Sequence, residues 1–375
     1  MPQSIQAVLE AAVAAGAAPG MVAAARLPSG EVVQAAAGVR GADNAAPMTP
    51  DTVFWIASFT KALTTVAALQ LVEAGKIGLD DPVGSRLPAL ARPKVLDGFD
   101  ADGRPRLVEA ASPITLRHLL AHTSGLAYDF CHAGLAAYVA AAGSNPSGEG
   151  GDIVLMFQPG SDWTYGTGLD WTGQLVEAVS GEPFDDYLAT HILTPLGMNA
   201  TGFSPPTGAP TASMQARLPD GGLATIPFGM PPGRYPSMGG GGLYSTAGDY
   251  LTFLQAILAG GAPILKAETV AAMARTEWEA AHVGVLQGVN STLCGHFDPF
   301  PEATKQWGLG FLINPAPGPN GRSARSLAWA GLGNCYYWAD PATGVAGVLL
   351  SQVLPFGDPK VLDAFAAFER AVYAG

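Results

Sequence analysis

Charged residues are scarce in this chain. Of its 375 residues, 13% are Asp, Glu, Lys or Arg, and the formal net charge is −12. An acidic surface repels the phosphates of nucleic acid and the head groups of anionic lipids. We therefore expect no nucleic-acid partner and no membrane partner. Hydrophobic residues make up 48% of the sequence, which is enough for a large buried core.

Cysteine is also rare. The three cysteines are Cys131, Cys294 and Cys335. Their odd number and wide spacing exclude a disulfide framework and a paired zinc motif. Cys131 precedes His132, but adjacent side chains do not face each other on regular structure, so a buried thiol is favoured over a nucleophile. Cys294, His296 and Asp298 alternate, which would suit metal ligands on a strand, but the glycine and prolines around them favour a loop. We expect neither a metal nor a cofactor.

Long apolar runs are missing as well. The uncharged stretch 62–72 is too short to span a bilayer. The first residues of the chain lack the basic and continuously apolar regions of a secretory signal. We therefore expect a soluble protein of the cytoplasm.

Ser58 and Lys61 are spaced as nucleophilic catalysis requires. None of the other lysines has a serine three positions before it. The apolar pattern after Lys61 predicts a helix that stops near Gly75. Because residues three apart share a helix face, we expect the Lys61 amine to lie near the Ser58 hydroxyl. A lysine can take the proton of a serine if burial lowers its pKa.

The alternative reading of this pair is a helix-capping serine followed by a solvated lysine. Short motifs of this kind also arise by chance. After Lys61, however, the chain carries no other charge until Glu73. A helix that is apolar nearly all round is usually buried, and this favours a buried amine over a solvated one.

Near both ends of the chain, short apolar runs alternate with turn residues, a pattern that is typical of antiparallel strands. Residues 20–27 and 31–39 predict an antiparallel hairpin, and 308–314, 324–330, 335–340 and 344–352 predict further strands, followed by a helix over 358–373. The middle reads as helices, a Gly/Ser-rich linker at 145–152 and a long loop at 205–238. We predict an α+β fold, an α/β sandwich. In it, one antiparallel sheet flanked by helices takes strands from both chain ends (1–85 and 240–375), and 86–239 form an inserted all-helical lobe.

Several short motifs resemble one known family. They are Ser58-Phe59-Thr60-Lys61, Tyr165-Gly166-Thr167, Pro195-Leu196-Gly197-Met198, the four glycines that lead into Leu243-Tyr244-Ser245-Thr246, and Trp329-Ala330-Gly331. With them the chain resembles the serine β-lactamase/penicillin-binding superfamily, and within it the class C-like family VIII carboxylesterases. The resemblance covers nearly the whole chain and implies a β-lactamase-like fold.

Two departures from the lactamase pattern bear on the substrate. Trp329 stands where lactamases carry the lysine of Lys-Thr-Gly, which attracts the carboxylate of the drug, and Thr167 stands where they carry asparagine. The sequence contains no Lys-Thr-Gly, and it contains no Gly-x-Ser-x-Gly, the motif of the nucleophile-elbow hydrolases. A neutral, bulky Trp329 suits an uncharged acyl substrate, so the resemblance implies an esterase more than a lactamase.

The resemblance also implies a mechanism. Ser58 would form an acyl-enzyme, and Lys61 and Tyr165 would share the proton transfers as a coupled pair, with neither assigned as the sole base. The backbone N–H groups of Ser58 and Leu332 would form the oxyanion hole. A loop histidine, His122, is expected to tie backbone segments together and not to act as a base.

Aromatic and small residues near these motifs are candidates for the substrate pocket. The predicted substrate-binding residues are Trp329, Ala330, Gly331, Tyr128, Trp163 and Tyr337, with Phe130, Phe228 and Trp338 as further candidate walls. The predicted function is hydrolysis of short- to medium-chain carboxylic esters. The alternatives are a β-lactamase, a D-peptidase, an amidase or an acyltransferase on the same scaffold, and a catalytically idle sensor domain.

Overall fold

The computed structural model describes residues 4–143, 153–228 and 238–375. The predicted linker at 145–152 lies outside these ranges, and so does 229–237, the later part of the predicted loop 205–238. The N-terminal part of the chain forms the first strands and the helix that follows Ser58. Its elements are α1 (Ile5–Ala14), β1 (Gly20–Arg26), β2 (Val32–Gly41), β3 (Asn44–Pro47), β4 (Phe54–Trp55) and α2 (Thr60–Glu73).

The middle of the chain mixes short helices with short strands. Its elements are β5 (Lys94–Phe99), β6 (Pro105–Glu109), α3 (Leu116–Leu120), α4 (Ala133–Ala142), β7 (Val154–Leu155), α5 (Gly168–Ser180), α6 (Phe184–Leu188), α7 (Thr194–Leu196), β8 (Gln215–Arg217) and β9 (Leu223–Thr225). Strands β6, β5 and β7 form a small sheet. The prediction that the inserted segment is all-helical is therefore wrong. Only Val95 of β5 is buried, and β6 has no buried residue, so these strands lack the alternation by which a half-buried strand is recognised.

The C-terminal part supplies most of the main sheet. Its elements are β10 (Tyr244–Ser245), α8 (Ala247–Leu258), α9 (Ala267–Met273), β11 (Trp278–Ala280), β12 (Lys305–Trp307), β13 (Leu312–Ile313), β14 (Leu327–Gly331), β15 (Cys335–Asp340), β16 (Val345–Leu350), β17 (Val353–Leu354) and α10 (Pro359–Ala374). Two helix starts follow capping rules. Thr246 accepts the N–H of Asp249 at α8, and Asp358 accepts the N–H groups of Lys360 and Val361 at α10.

Both chain ends meet in one nine-stranded sheet, as predicted. Its order is β11-β12-β13-β14-β15-β16-β1-β2-β3. The join is the antiparallel pair β1 and β16, in which Val22 lies opposite Leu350 and Arg26 lies opposite Ala346. Every residue of β15 and β16 is buried, so the centre of this sheet is also the centre of the core.

Helices cover both faces of the sheet. Successive residues of a strand point to opposite sides, so neighbouring residues of β15 pack against different helices. On β15, Tyr337 packs against Tyr250 of α8 with ring centroids 5.1 Å apart. Its neighbour Trp338 packs against Phe368 of α10 at 5.4 Å. The layers are therefore helix, sheet and helix, which is the predicted sandwich. Within the described ranges, no helix is both long enough and apolar enough to cross a membrane.

Candidate active site

Ser58 lies in a 3-10 turn, Ala57–Phe59, immediately before α2. The turn is held from several sides: the Thr60 hydroxyl donates to the Ala57 carbonyl (2.6 Å), and the Tyr250 hydroxyl donates to the Phe59 carbonyl (3.0 Å). Ala57 has a φ of +47°, a region that residues other than glycine seldom occupy. Ser58 is half-buried between the buried Ala57 and Phe59. These contacts fix the Ser58 hydroxyl at the surface of a cavity.

The Lys61 amine lies next to Ser58, one turn into the helix, as the spacing predicts. The residue is 1% exposed. Its Nζ donates to Ser58 Oγ (3.1 Å), to the Tyr128 hydroxyl (3.1 Å) and to the Gly240 carbonyl (2.6 Å). Burial lowers the pKa of Lys61 to about 8, and the nearby Asp170 carboxylate opposes part of that shift. A fraction of this amine is therefore neutral near physiological pH and can accept a proton.

Tyr165 completes the group around Ser58. Its ring centroid lies 4.8 Å from Lys61 Nζ, and its hydroxyl accepts a hydrogen bond from Trp329 Nε1 at 3.2 Å. Burial raises the pKa of Tyr165, and hydrogen bonds to Ser58 and Trp329 oppose that shift only in part. The phenol is therefore protonated at neutral pH. In this state it can donate a proton, and the neighbouring Lys61 is better suited to accept one.

Tyr128 and Asp170 extend the network beyond the residues that the sequence pointed to. Tyr128 was predicted only as a pocket wall, and Asp170 was not predicted at all. The Tyr128 hydroxyl accepts from Lys61 and donates to Asp170 Oδ2 at 2.7 Å. Asp170 Oδ1 accepts the backbone N–H of Gly240 at 3.0 Å. One feature of the sequence could have pointed to Asp170: it is the acidic residue in the first turn of α5, a helix that is otherwise mostly buried.

Three of the four glycines 239–242 lie where a side chain would collide with a neighbouring segment; the exception is Gly241. The carbonyl of Gly239 accepts from Thr64 (2.6 Å), and that of Gly241 accepts from Trp55 Nε1 (2.7 Å). A Cβ on Gly240 would lie 2.3 Å from Asp170 Oδ2. The run is thus a turn that passes close to other groups.

Gly240→Ala is expected to destabilise the fold. The added methyl group collides with the Asp170 carboxylate, and overpacking of this kind costs about 1–3 kcal/mol. Urea unfolding would measure the change in the free energy of unfolding. Gly241→Ala is the matched control, because its Cβ would meet nothing nearer than 3.9 Å. Equal stability of the two variants would contradict the close packing at Gly240.

An apolar cavity of about 210 Å³ opens above Ser58. Its lining residues are Trp55, Ala57, Ser58, Tyr128, Phe130, Tyr165, Phe228, Met238, Gly240, Gly241, Leu286, Trp329, Ala330, Gly331, Leu332 and Phe356. Among these described residues none carries a charge. The cavity therefore suits an uncharged, largely apolar group beside the serine hydroxyl.

A family model described as Beta-lactamase matches residues 5–371. The chain belongs to the beta-lactamase family. The β-lactamase-like fold predicted from its motifs is thereby confirmed.

Similar members of the beta-lactamase family include both transferases and esterases. Monacolin J acid methylbutanoyltransferase of Aspergillus terreus is 34% identical over 360 residues, covering 88% of this chain and 83% of that protein. Lovastatin esterase of Penicillium rubens is 33% identical over 353 residues, covering 87% and 86%. The structure of a mutant of simvastatin synthase (LovD) from Aspergillus terreus has a TM-score of 0.86 and 34% identity, covering 99% of this chain and 94% of that one.

Strand β14, which carries Trp329-Ala330-Gly331, lies against the turn that holds Ser58. A Cβ on Gly331 would be 2.4 Å from the carbonyl oxygen of Ile56, so only glycine permits this approach. Leu332 follows directly and lines the cavity together with Ser58. The two residues whose N–H groups were predicted to form an oxyanion hole are thus brought to the same cavity.

Four of the six predicted pocket residues line the cavity, and two do not. Tyr128, Trp329, Ala330 and Gly331 line it, as do Phe130 and Phe228. The assignments of Trp163, Tyr337 and Trp338 to the pocket are corrected by their packing partners. Trp163 packs against Trp307, Tyr337 packs beneath Phe59, and Trp338 faces α10. These rings belong to the core: Trp163, Tyr337 and Trp338 are 5%, 1% and 0% exposed.

The other candidate reactive groups have structural partners. His122 Nδ1 accepts the N–H of Gly166 (3.4 Å), and burial lowers the pKa of His122 well below its ordinary value. His132 caps α4 by accepting the N–H of Leu135, and burial raises the pKa of the Cys131 thiol. In the ranges that the structure covers, no three His, Cys, Asp or Glu side chains are grouped as metal ligands.

Proposed function

We propose that this protein is a serine hydrolase that cleaves short- to medium-chain carboxylic esters through an acyl-enzyme on Ser58. One observation carries the proposal: a buried lysine amine with a pKa of about 8 donates a hydrogen bond to a half-buried serine hydroxyl, 3.1 Å away. The hydroxyl borders an uncharged cavity. A serine becomes a useful nucleophile when a neighbouring base takes its proton, and this arrangement supplies the base.

In the proposed acylation step, Ser58 Oγ attacks the ester carbonyl carbon and its proton passes to neutral Lys61 Nζ. The oxygen of the tetrahedral intermediate is stabilised by the N–H groups of Ser58 and Leu332. Tyr165 then donates its proton to the departing alkoxide and is reprotonated from Lys61, whose amine lies against its ring. The C–O bond breaks, the alcohol leaves, and the acyl group remains on Ser58.

In the proposed deacylation step, a water molecule attacks the acyl carbon from the cavity. The same groups act in reverse: a proton of the water moves through Tyr165 to Lys61, and Lys61 returns a proton to Ser58 Oγ as that oxygen leaves the acyl carbon. Microscopic reversibility requires that the acid of one step be the base of the other. The products are the free carboxylic acid and the original enzyme.

The cavity lining supports a neutral substrate. A β-lactam drug carries a carboxylate, and transfer of an unpaired carboxylate into an apolar site costs several kcal/mol. Trp329 occupies the position of the lactamase lysine and offers its indole N–H to Tyr165. We therefore expect p-nitrophenyl acetate or butyrate to exceed nitrocefin in kcat/KM by about 100-fold, which is about 2.7 kcal/mol.

A substrate panel with purified protein tests this proposal. It compares p-nitrophenyl acetate, butyrate and octanoate with nitrocefin, a D-alanyl peptide and an anilide. Turnover of the shorter esters above the others supports the proposal. Faster turnover of nitrocefin, the peptide or the anilide would instead assign a β-lactamase, D-peptidase or amidase. No turnover of any activated ester would indicate a catalytically idle sensor domain.

A second candidate function is transfer of the acyl group from Ser58 to an alcohol. Two observations favour it: a relative named as a methylbutanoyltransferase is 34% identical, and the apolar cavity can exclude water in favour of an organic acceptor. Adding an alcohol to the p-nitrophenyl butyrate assay separates the two functions. A transferase forms the new ester in proportion to the alcohol, whereas a strict hydrolase releases only butyric acid.

The rate of acylation is expected to rise with pH through about pH 8. Only the neutral Lys61 amine accepts the proton, and the neutral form dominates above the pKa of about 8. The profile of kcat/KM for p-nitrophenyl butyrate between about pH 6 and pH 10, corrected for spontaneous hydrolysis, measures the midpoint. A flat profile would show that Lys61 is not the group that limits acylation.

A further inference from the structure

Besides Ser58, Lys61 Nζ has two hydrogen-bond acceptors, and both of them are bonded to the same carboxylate. Lys61 Nζ donates to the Tyr128 hydroxyl and to the Gly240 carbonyl. The Tyr128 hydroxyl donates to Asp170 Oδ2, and the Gly240 N–H donates to Asp170 Oδ1. The four residues close a ring of hydrogen bonds, with one oxygen of Asp170 on each side.

We propose that Asp170 is a positioning residue that holds the Lys61 amine at Ser58 by fixing both of its other hydrogen-bond acceptors. The inference rests on the proposed function, in which Lys61 is the base for Ser58. Asp170 does not touch the serine or the cavity, and its action passes through Tyr128 and Gly240. If either acceptor moved, the three N–H donors of Lys61 would no longer point at three fixed partners.

Charge gives Asp170 a second effect on the same amine. The titratable groups that face Lys61 are Tyr128, Cys131, Tyr165, Asp170 and His122. Burial raises the pKa of both tyrosines and of the Cys131 thiol and lowers the pKa of His122, so these four groups are neutral at pH 7. Asp170 is the carboxylate in this set. It favours the protonated amine and opposes the effect of burial on the Lys61 pKa.

The decisive variant is Asp170→Asn. Its one amide oxygen cannot replace both carboxylate oxygens, and the charge is lost. The rate of Ser58 labelling by a fluorophosphonate, followed against pH, should change in two ways. The plateau at high pH should fall about tenfold or more, because the base is displaced. The midpoint should move to lower pH by about one unit, because an opposite charge no longer favours the ammonium.

Labelling is the chosen readout because it needs only the serine and its base. If wild-type protein is labelled but cleaves no ester, the proposed function fails while this inference can still be tested. If wild-type protein is not labelled at all, both fail. A lower plateau with an unchanged midpoint in Asp170→Asn would reduce Asp170 to a structural residue and overturn the inference.

Two further variants separate position from charge. Asp170→Glu keeps the charge and displaces it, so the plateau should fall while the midpoint stays near that of wild-type protein. Asp249→Asn is the matched control: Asp249 also accepts a backbone N–H and a hydroxyl, from Ala200 and Thr201, but lies at the start of α8. It should change neither plateau nor midpoint. Should Asp170→Asn not fold, Asp170→Ser, which is small and neutral, carries the same expected shift.

Discussion

Ser58→Ala is expected to abolish ester hydrolysis and covalent labelling by organophosphonates together. Without the hydroxyl oxygen no acyl-enzyme forms, and loss of a nucleophile of this kind lowers kcat by at least about four decades. The fold should be retained, because Ser58 is half-buried and the turn that carries it is held by Thr60 and Tyr250. Initial rates with p-nitrophenyl butyrate and mass spectrometry of the labelled protein measure both effects.

The control for this variant is a serine in a similar turn away from the cavity. Ser85 ends the 3-10 turn Val83–Ser85, is exposed, and donates its hydroxyl to the Pro82 carbonyl. Ser85→Ala should keep full turnover and full labelling. If Ser58→Ala also kept them, the nucleophile would have to be another residue, and the proposed function would be wrong.

Tyr165→Phe is expected to lower kcat/KM by about two to four decades, the range that general acid–base groups contribute. The substitution keeps the ring that packs against Lys61 and Trp329 and removes only the hydroxyl that would protonate the leaving alkoxide. It also leaves the Trp329 N–H without its acceptor, and an unpaired buried donor costs about 1–3 kcal/mol of stability. Rate and unfolding free energy are therefore measured on the same preparation.

Tyr337→Phe provides the comparison for Tyr165→Phe. It removes the same atom from another fully buried tyrosine, one that packs beneath Phe59 and does not line the cavity. Its kcat/KM should stay within a few-fold of the wild-type value. If Tyr165→Phe lost less than about threefold, Tyr165 would contribute packing only, and proton transfer to the leaving group would need another donor.

Trp329, which the resemblance places at the position of the lactamase lysine, connects the sequence to the proposed choice of substrate. A lysine there would place a cation in a cavity whose described lining is otherwise uncharged. Trp329 instead contributes an apolar wall and a neutral donor at 3.2 Å from the Tyr165 oxygen. The described lining of the cavity thus keeps a hydrogen bond to the Tyr165 phenol and offers no cation to a carboxylate, which supports the proposed preference for uncharged esters.

The sequence by itself determined the features that depend on local backbone geometry. The three-residue spacing of Ser58 and Lys61 predicts their contact because a helix repeats every 3.6 residues. The hairpin of β1 and β2 and the strands β14 to β16 follow from turn residues and continuous apolar runs. Together with the motif at Tyr165 they identified the fold, which the comparison with the beta-lactamase family confirms.

Only the tertiary structure decided which distant groups meet. Tyr128, Asp170 and Gly240 come from three separate segments, and nothing in their local patterns places them around one amine. The same is true of Trp163 and Tyr337, aromatic residues next to motifs, whose rings are covered by helices and strands from elsewhere in the chain. Local periodicity fixes the direction of a side chain relative to its own helix or strand, whereas its neighbours depend on long-range packing that no short stretch of sequence encodes.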